Sequence, residues 1–307
     1  MRYYILVFGL FTLLLQGQIK VSKLIGLQLD NDSFTSTYND FYYTNGLFLY
    51  GSQLGKSTSA TTTVIHSFRV GQQIFNPRWV KATLPQNQNR PYAGYLFAEY
   101  TTKQINSANR VQANTFQVGI VGPGSGAESF QKWMHRSFGF GALNGWKNQI
   151  QNTVALQYQR LYAKPIWSTI SSDRVDFNLM GNAVVGTAFD GLSAGVLARI
   201  RMSEKGASLK ATNFYNELGA APKEFYLFVL PKINFQCYDA TIQGSLFDDK
   251  SILTYDLRPL RYAVEAGVRY KYHQFNFSYT ATYSSKEIEN SNASGYFYGS
   301  LVGSYLF

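Results

Sequence analysis

A single cysteine, Cys237, stands in 307 residues. No intrachain disulfide can form, which excludes the small cystine-stapled extracellular folds. Charge is scarce too: Asp, Glu, Lys and Arg make up 15% of the chain, and 28 basic residues against 18 acidic leave a net charge of +10. No basic run or nucleic-acid motif accompanies that excess, so nucleic acid is not an expected partner. Anionic lipid head groups or scattered solubilising charge are the readings left. No long apolar run follows Leu15, so no helical membrane span is available. Histidine, the side chain that passes protons near neutrality, occurs three times.

What is abundant points one way. The chain opens with Met1-Arg2, an apolar run from Tyr3 to Leu15, and a small polar exit at Gln16-Gly17-Gln18. That pattern predicts a cleaved secretory signal over residues 1–17, with the mature protein spanning 18–307 as one domain. Tyr and Phe number 23 each and Gly 26. An exported chain rich in aromatics and glycine, with few helical stretches, fits an outer-membrane β-barrel with aromatic girdles. A soluble β-sandwich shares that composition.

Alternation decides more. In Lys23 to Asp30, Ile25, Leu27 and Leu29 share one face and Gly26, Gln28 and Asp30 the other. Period two with one apolar face predicts a strand. Further strands are predicted at 43–54, 64–75, 91–102, 111–121, 149–163, 172–186, 192–202, 224–238, 258–272, 273–284 and 295–307. Twelve is an even number within the range of bacterial barrels. The expected fold is therefore all-β: a transmembrane antiparallel up-and-down barrel of about twelve strands. A short helix is expected in an extracellular loop, after the breaker Gly122-Pro123-Gly124-Ser125-Gly126, with Ser125 or Ser129 as N-cap.

With the N-terminus inside, odd strands run outward. The ends of strands one and five and the start of strand two then meet at one rim. Three polar features converge there. Asp30-Asn31-Asp32 offers hard oxygen ligands that suit Ca²⁺, although Phe34 spoils the EF-hand pattern and an Asx-rich turn is the plainer reading. Thr44 offers a hydroxyl. Gln131 and His135 stand four apart, on one helix face. Lys81, on the loop after strand three, can meet an oxyanion or a phosphate. For His135 the plainer reading is a loop histidine that only packs.

Seven short motifs stand in order: Asn31-Asp32, Tyr43 to Gly46, Gly71 to Pro77, Arg90 to Gly94, Val118 to Pro123, Gln131 to His135 and Gly145-Trp146. Together they resemble the lipid A 3′-O-deacylase family of Gram-negative outer membranes, most densely over residues 25–160. The resemblance implies a twelve-stranded barrel in the outer membrane, acting as a monomer on lipid A or lipopolysaccharide. It implies Ca²⁺-dependent hydrolysis of the 3′-linked acyl chain. The family's Asn-Asp pair falls on Asn31 and Asp32, which would bind the metal. Its threonine falls on Thr44 and its histidine on His135. Its lysine falls near Lys81, with Arg78 a rival. A glutamate six residues after the histidine is replaced here by Gly141, and Glu128 could stand in for it only by folding back.

The expected chemistry has His135 as general base for water, with Asn31, Asp32, Thr44, Lys81 and Gln131 around it. Two other readings stay open. One is a serine phospholipase, although Ser33 and Ser125 lack the Gly-x-Ser-x-Gly elbow. The other is a passive or structural barrel whose polar lumen residues have no catalytic purpose.

Overall fold

The structure is a computed structural model that describes residues 22–35, 42–57, 61–168, 174–202, 217–218, 222–289 and 294–307. The leader expected at 1–17 lies outside the described residues. The strands are β1 (Lys23–Asn31), β2 (Tyr42–Leu54), β3 (Thr62–Asn76), β4 (Ala93–Asn106), β5 (Val111–Val121) and β6 (Thr153–Ser168). β7 (Val175–Gly186), β8 (Phe189–Arg201), β9 (Lys223–Asp239), β10 (Leu260–Tyr272), β11 (Phe275–Ser285) and β12 (Gly295–Leu306) complete the set. Each pairs antiparallel with its neighbour in sequence, and β1 closes on β12, giving a closed barrel without an edge. Closure leaves no strand edge unpaired, as a hydrocarbon environment demands.

Alternation sorts the two faces. Ile25, Leu27, Phe68, Phe116, Leu156, Ile233 and Leu301 point outward and stay exposed. Large apolar groups in a continuous exposed band belong against lipid. Inward positions are polar and paired. Arg69 bonds Glu99 at 2.7 Å, and Arg199 pairs with Asp176 and Lys232 with Glu265. Buried charges persist only when partnered in this way. No helix of the described residues is long and apolar enough to cross a membrane; the strands do the crossing.

Connections 32–41, 77–92, 122–152 and 240–259 share one end of the barrel. The opposite end carries the short links 107–110 and 273–274 and one long connection, 202–222. Longer loops mark the extracellular side. At that rim α2 (Ala240–Gln243) and the residues after it fold over the lumen. Arg90, fully buried, reaches inward to bond Glu287 Oε1 at 2.7 Å and Thr241 Oγ1 at 2.9 Å. At the periplasmic end Leu218 packs among Leu24, Ile65, Ile105, Val111, Ala163 and Leu306. Beside it the Glu217 carbonyl accepts from Asn276 Nδ2 at 3.3 Å. The lumen is thus filled by side chains at two levels.

Candidate active site on the outer wall

The acidic cluster at the end of β1 is split by the strand's own alternation. Asp30 points into the lumen, where it accepts from Tyr43 Oη at 2.7 Å and Gln28 Nε2 at 2.9 Å. Asn31 points outward, and its Nδ2 donates to Asn45 Oδ1 on the paired position of β2 at 2.6 Å. Asn31 Oδ1 also accepts from Ser33 N at 2.8 Å, capping a 3₁₀ turn at Asp32–Phe34. Asp32, in the first position of that turn, is buried. Of the three residues, Asn31 and Asp32 therefore belong to the outer face and the turn above it.

Thr44 owes its place to a bulge. Tyr43 pairs with Phe75 and Asn45 with Ile74, so Thr44 is the extra residue of β2. A bulge re-aims side chains and recurs beside active sites. Here it turns Tyr43 inward onto Asp30 while Asn45 stays outward beside Asn31. Thr44 is buried, and its Oγ1 donates to the Ile74 carbonyl at 3.3 Å.

The loop after β5 lies against the outside of the wall. Pro123–Ser125 forms a 3₁₀ turn, and α1 (Ala127–Phe138) follows with Gly126 as N-cap, not Ser125 or Ser129. Gln72 Nε2, on the outer face of β3, donates to the Ser125 carbonyl at 2.7 Å. Gly94, on the outer face of β4, has no room for a Cβ because Ser125 and Ala127 press on it. Ala127 and Phe130 pack over Ile74, Tyr92 and Trp146. Trp133, Phe138 and Phe140 face away from the wall and are exposed, as aromatics at a lipid–water boundary are.

Along α1 the polar groups divide. Gln131 is buried, and its Oε1 accepts from Trp146 Nε1 at 2.8 Å. Glu128 binds Lys132 at 2.5 Å and Gln149 Nε2 at 3.0 Å, so it does not fold back onto His135. Gly139, at φ +74°, ends the helix in the left-handed conformation. That turn returns the chain so that His135 Nδ1 lies 2.9 Å from the Gly141 carbonyl. A backbone oxygen thus holds the imidazole at the position where the resembling family has a carboxylate. A Cβ at Gly141 would lie 3.6 Å from Lys81 Nζ, so the lysine sits beside this contact. Arg78, its rival, lies over the Trp79 ring at 5.9 Å. The other histidines are at the far end: His66 bonds Tyr100 Oη at 2.7 Å, and His273 is in the β10–β11 turn.

One lateral row of wall residues relates these parts. Gly299 pairs with Asn31, Asn31 with Asn45, Asn45 with Ile74, and Ile74 with Gly94. All five sit on the outer face at one level. Phe34 covers Gly299, which has no room for a Cβ beneath it. At the other end Ala127 covers Ile74 and Gly94. Between the two covers lie Asn31 and Asn45, half-buried, as the floor of an opening about two strands, or roughly 10 Å, wide. His135 lies eight residues along α1 from Ala127, about 12 Å of helix. Its ring bonds Gly141 rather than Thr44 or Asn31.

The donors at the turn test its fit for a cation. Asp32, Asn31 and Thr44 offer oxygen only, which suits a hard ion such as Ca²⁺. Among the described residues no group of three or more His, Cys, Asp or Glu could hold a metal. One carboxylate and neutral oxygens are donors of the hard-ion kind and do not suit a transition metal. Sequence reasoning missed Gln72, Gly94, Gly299 and the Gly141 carbonyl, because each looks like an ordinary wall or loop residue.

Comparison with known proteins bears on the barrel as a whole. The family described as outer membrane protein LpxR matches residues 5–307. The solved structure of LpxR from Salmonella typhimurium superposes with a TM-score of 0.76 at 18% identity, covering 92% of this chain and 100% of that one. The β domain of the Bordetella autotransporter BrkA gives 0.48 at 8% identity, over 94% and 99% of the two chains. The KdgM porin gives 0.42 at 7%, over 92% and 99%. No curated protein matches the chain.

Proposed function

Because the chain belongs to the LpxR family of outer membrane proteins, lipid A deacylases built on the same closed barrel, we propose that it hydrolyses the 3′-linked acyl chain of lipid A. The reaction takes place in the opening between the acidic turn and α1. The observation that carries this reading is the lateral row Gly299–Asn31–Asn45–Ile74–Gly94, covered at both ends and open in the middle. It faces lipid at the outer rim, so a lipid ester enters sideways from the leaflet without leaving it.

His135 is the base. Its Nδ1–H donates to the Gly141 carbonyl, which leaves the Nε2 lone pair free to accept a proton. Water attacks the ester carbonyl carbon as its proton passes to Nε2. The sugar oxygen then leaves with that proton, giving a fatty acid and a free hydroxyl. The Lys81 ammonium, beside Gly141, balances charge on the oxyanion or on a lipid phosphate. Gln131, held by Trp146, fixes the roll of α1 and so the aim of His135. Asn31 and Asp32, with Thr44 nearby, would hold Ca²⁺, which when bound polarises the carbonyl as a Lewis acid. The protein works as a monomer, since the opening is formed by one barrel.

Neither rival reading has comparable support. Ser125 Oγ is buried and donates to the Gly122 carbonyl at 2.6 Å, and Ser33 is turned onto Asn31. Neither is joined to a histidine. The lumen, where a pore would run, is filled by Arg90, Thr241 and Glu287 near one end and Leu218 near the other. The test is His135→Ala, read by mass spectrometry of lipid A from cells and from purified barrel. The expected loss of rate is about 10²–10⁴-fold. Undiminished release of the 3′ chain would overturn the role of His135.

A further inference from the structure

Outward residues of β1 lead down from the opening. Below Asn31 come Leu29 and Leu27, and these form one side of a trough of about 410 Å³ in the lipid-facing wall. Val268, Tyr270, Phe277, Tyr279 and Leu301 are among its other lining residues, and Gly303 lies at its floor. A Cβ at Gly303 would meet no atom within 4 Å, so the trough is open to its base. The acidic turn stands above its upper end: Phe34 covers Gly299, and Tyr279 Oη donates to the Phe34 carbonyl at 2.9 Å. The residue that roofs the trough is thus two positions from Asp32.

We propose that this trough is an acyl-chain subsite, holding a chain that descends from the opening with its ester end at Asn31 and Asp32. The inference rests on the lipid deacylase reading above. Its support is the continuity of wall residues from Asn31 through Leu29 and Leu27, the apolar lining, and a roof made by the proposed metal turn. From Gly299 to Gly303 the wall runs about 13 Å, enough to align most of one leaflet's chain. Any barrel wall meets lipid, but a floor without a side chain beneath a roof fixed to the site gives one chain a defined path.

Gly303→Phe fills the trough and leaves the ladder intact. Leu192→Phe, on β8 across the barrel, is the control for a bulky change on the lipid face. Native mass spectrometry of the full-length barrel with hexa-acylated lipid A reads lipid retention without any need for hydrolysis, and kinetics in mixed micelles follow. Gly303→Phe is expected to weaken retention by roughly tenfold, as if about two methylenes lost their contacts. It should raise KM with little change in kcat, while His135→Ala retains lipid as the parent does. Equal retention by Gly303→Phe and the parent overturns the subsite. So does an equal loss in Leu192→Phe, which would mean annular lipid only. Retention without any release of fatty acid by the parent protein would instead count against the deacylase reading and leave the subsite standing.

Discussion

The two faces of the outer rim are built on opposite terms. Inside, Arg90 is fully buried and bonds Glu287, Thr241 and the Pro91 carbonyl, and Glu287 also meets Arg261 at 3.4 Å. Those charges are spent on one another. Outside, a few strands away, Asn31, Asn45 and His135 are half-buried and neutral groups prevail. There backbone lies close on glycines, and His135 holds one ring nitrogen against the Gly141 carbonyl. A rim side chain whose partners are all protein holds the barrel shut; one with an unused valence toward lipid can do chemistry.

The sharpest way to break that division is on the inside. Arg90→Ala leaves Glu287 buried with only the longer Arg261 contact. Removing one partner of a buried pair costs about 3–5 kcal/mol. The expected result is a lower temperature for the loss of the folded, fast-migrating gel band, with activity per folded barrel preserved. A variant that folds like the parent but loses activity would show that the inner network serves the reaction.

The outside gives the reverse expectation. Gly94→Leu puts a side chain where Ser125 and Ala127 sit, so α1 must lift from the wall. The barrel ladder does not depend on α1, and the gel band should keep its heat stability. Misplacing a catalytic group by about 1 Å costs about 10²-fold in rate. Full activity in Gly94→Leu would mean that the helix does not aim His135.

Most of the wall was legible in the sequence because period-two alternation is a local signal. Ile25, Leu27 and Leu29 announce their face without help from the rest of the chain. The side of the rim taken by the loop after β5 was not legible. It is decided by Gln72 and Gly94, which lie on neighbouring strands and look like any polar or small wall residue. The bulge at Thr44 hides for a related reason: one extra residue changes no composition, yet it puts Tyr43 and Asn45 on opposite faces. Asp30-Asn31-Asp32 read as one cluster, although alternation alone sends Asp30 inward. Lys81 and Arg78 were indistinguishable in sequence, and the loop path brings Lys81 to Gly141. That the Gly141 carbonyl meets His135 Nδ1 could not be read from a residue without a side chain.

Metal removal sharpens the outer half of the comparison. A Ca²⁺ chelator should lower activity by at least about tenfold, with recovery on adding the ion back. Asp32→Asn should raise the Ca²⁺ concentration needed for half-maximal activity, whereas Glu287→Gln, on the inner face, should leave it unchanged. Activity indifferent to both chelation and Asp32→Asn would remove the ion from the mechanism and leave Lys81 as the charge that meets the oxyanion.

The smallest effect is expected at the periplasmic end, where an inner group again acts on the fold alone. Burial pushes the Glu217 carboxyl above its ordinary 4.5, opposed by the charges of Lys103, Arg269 and Arg69. The folded barrel therefore holds this proton more tightly than the unfolded chain does. The stability it adds is complete below 4.5 and is lost as pH rises through the raised value. Acidification from neutrality should accordingly raise the temperature at which the folded gel band disappears, and Glu217→Gln, neutral at every pH, should flatten that component of the profile. Lipid hydrolysis per folded barrel should follow the same pH curve in both proteins. If Glu217→Gln moved that curve instead, the lumen and the outer wall would be coupled, and the separation between structural interior and reactive exterior would fail.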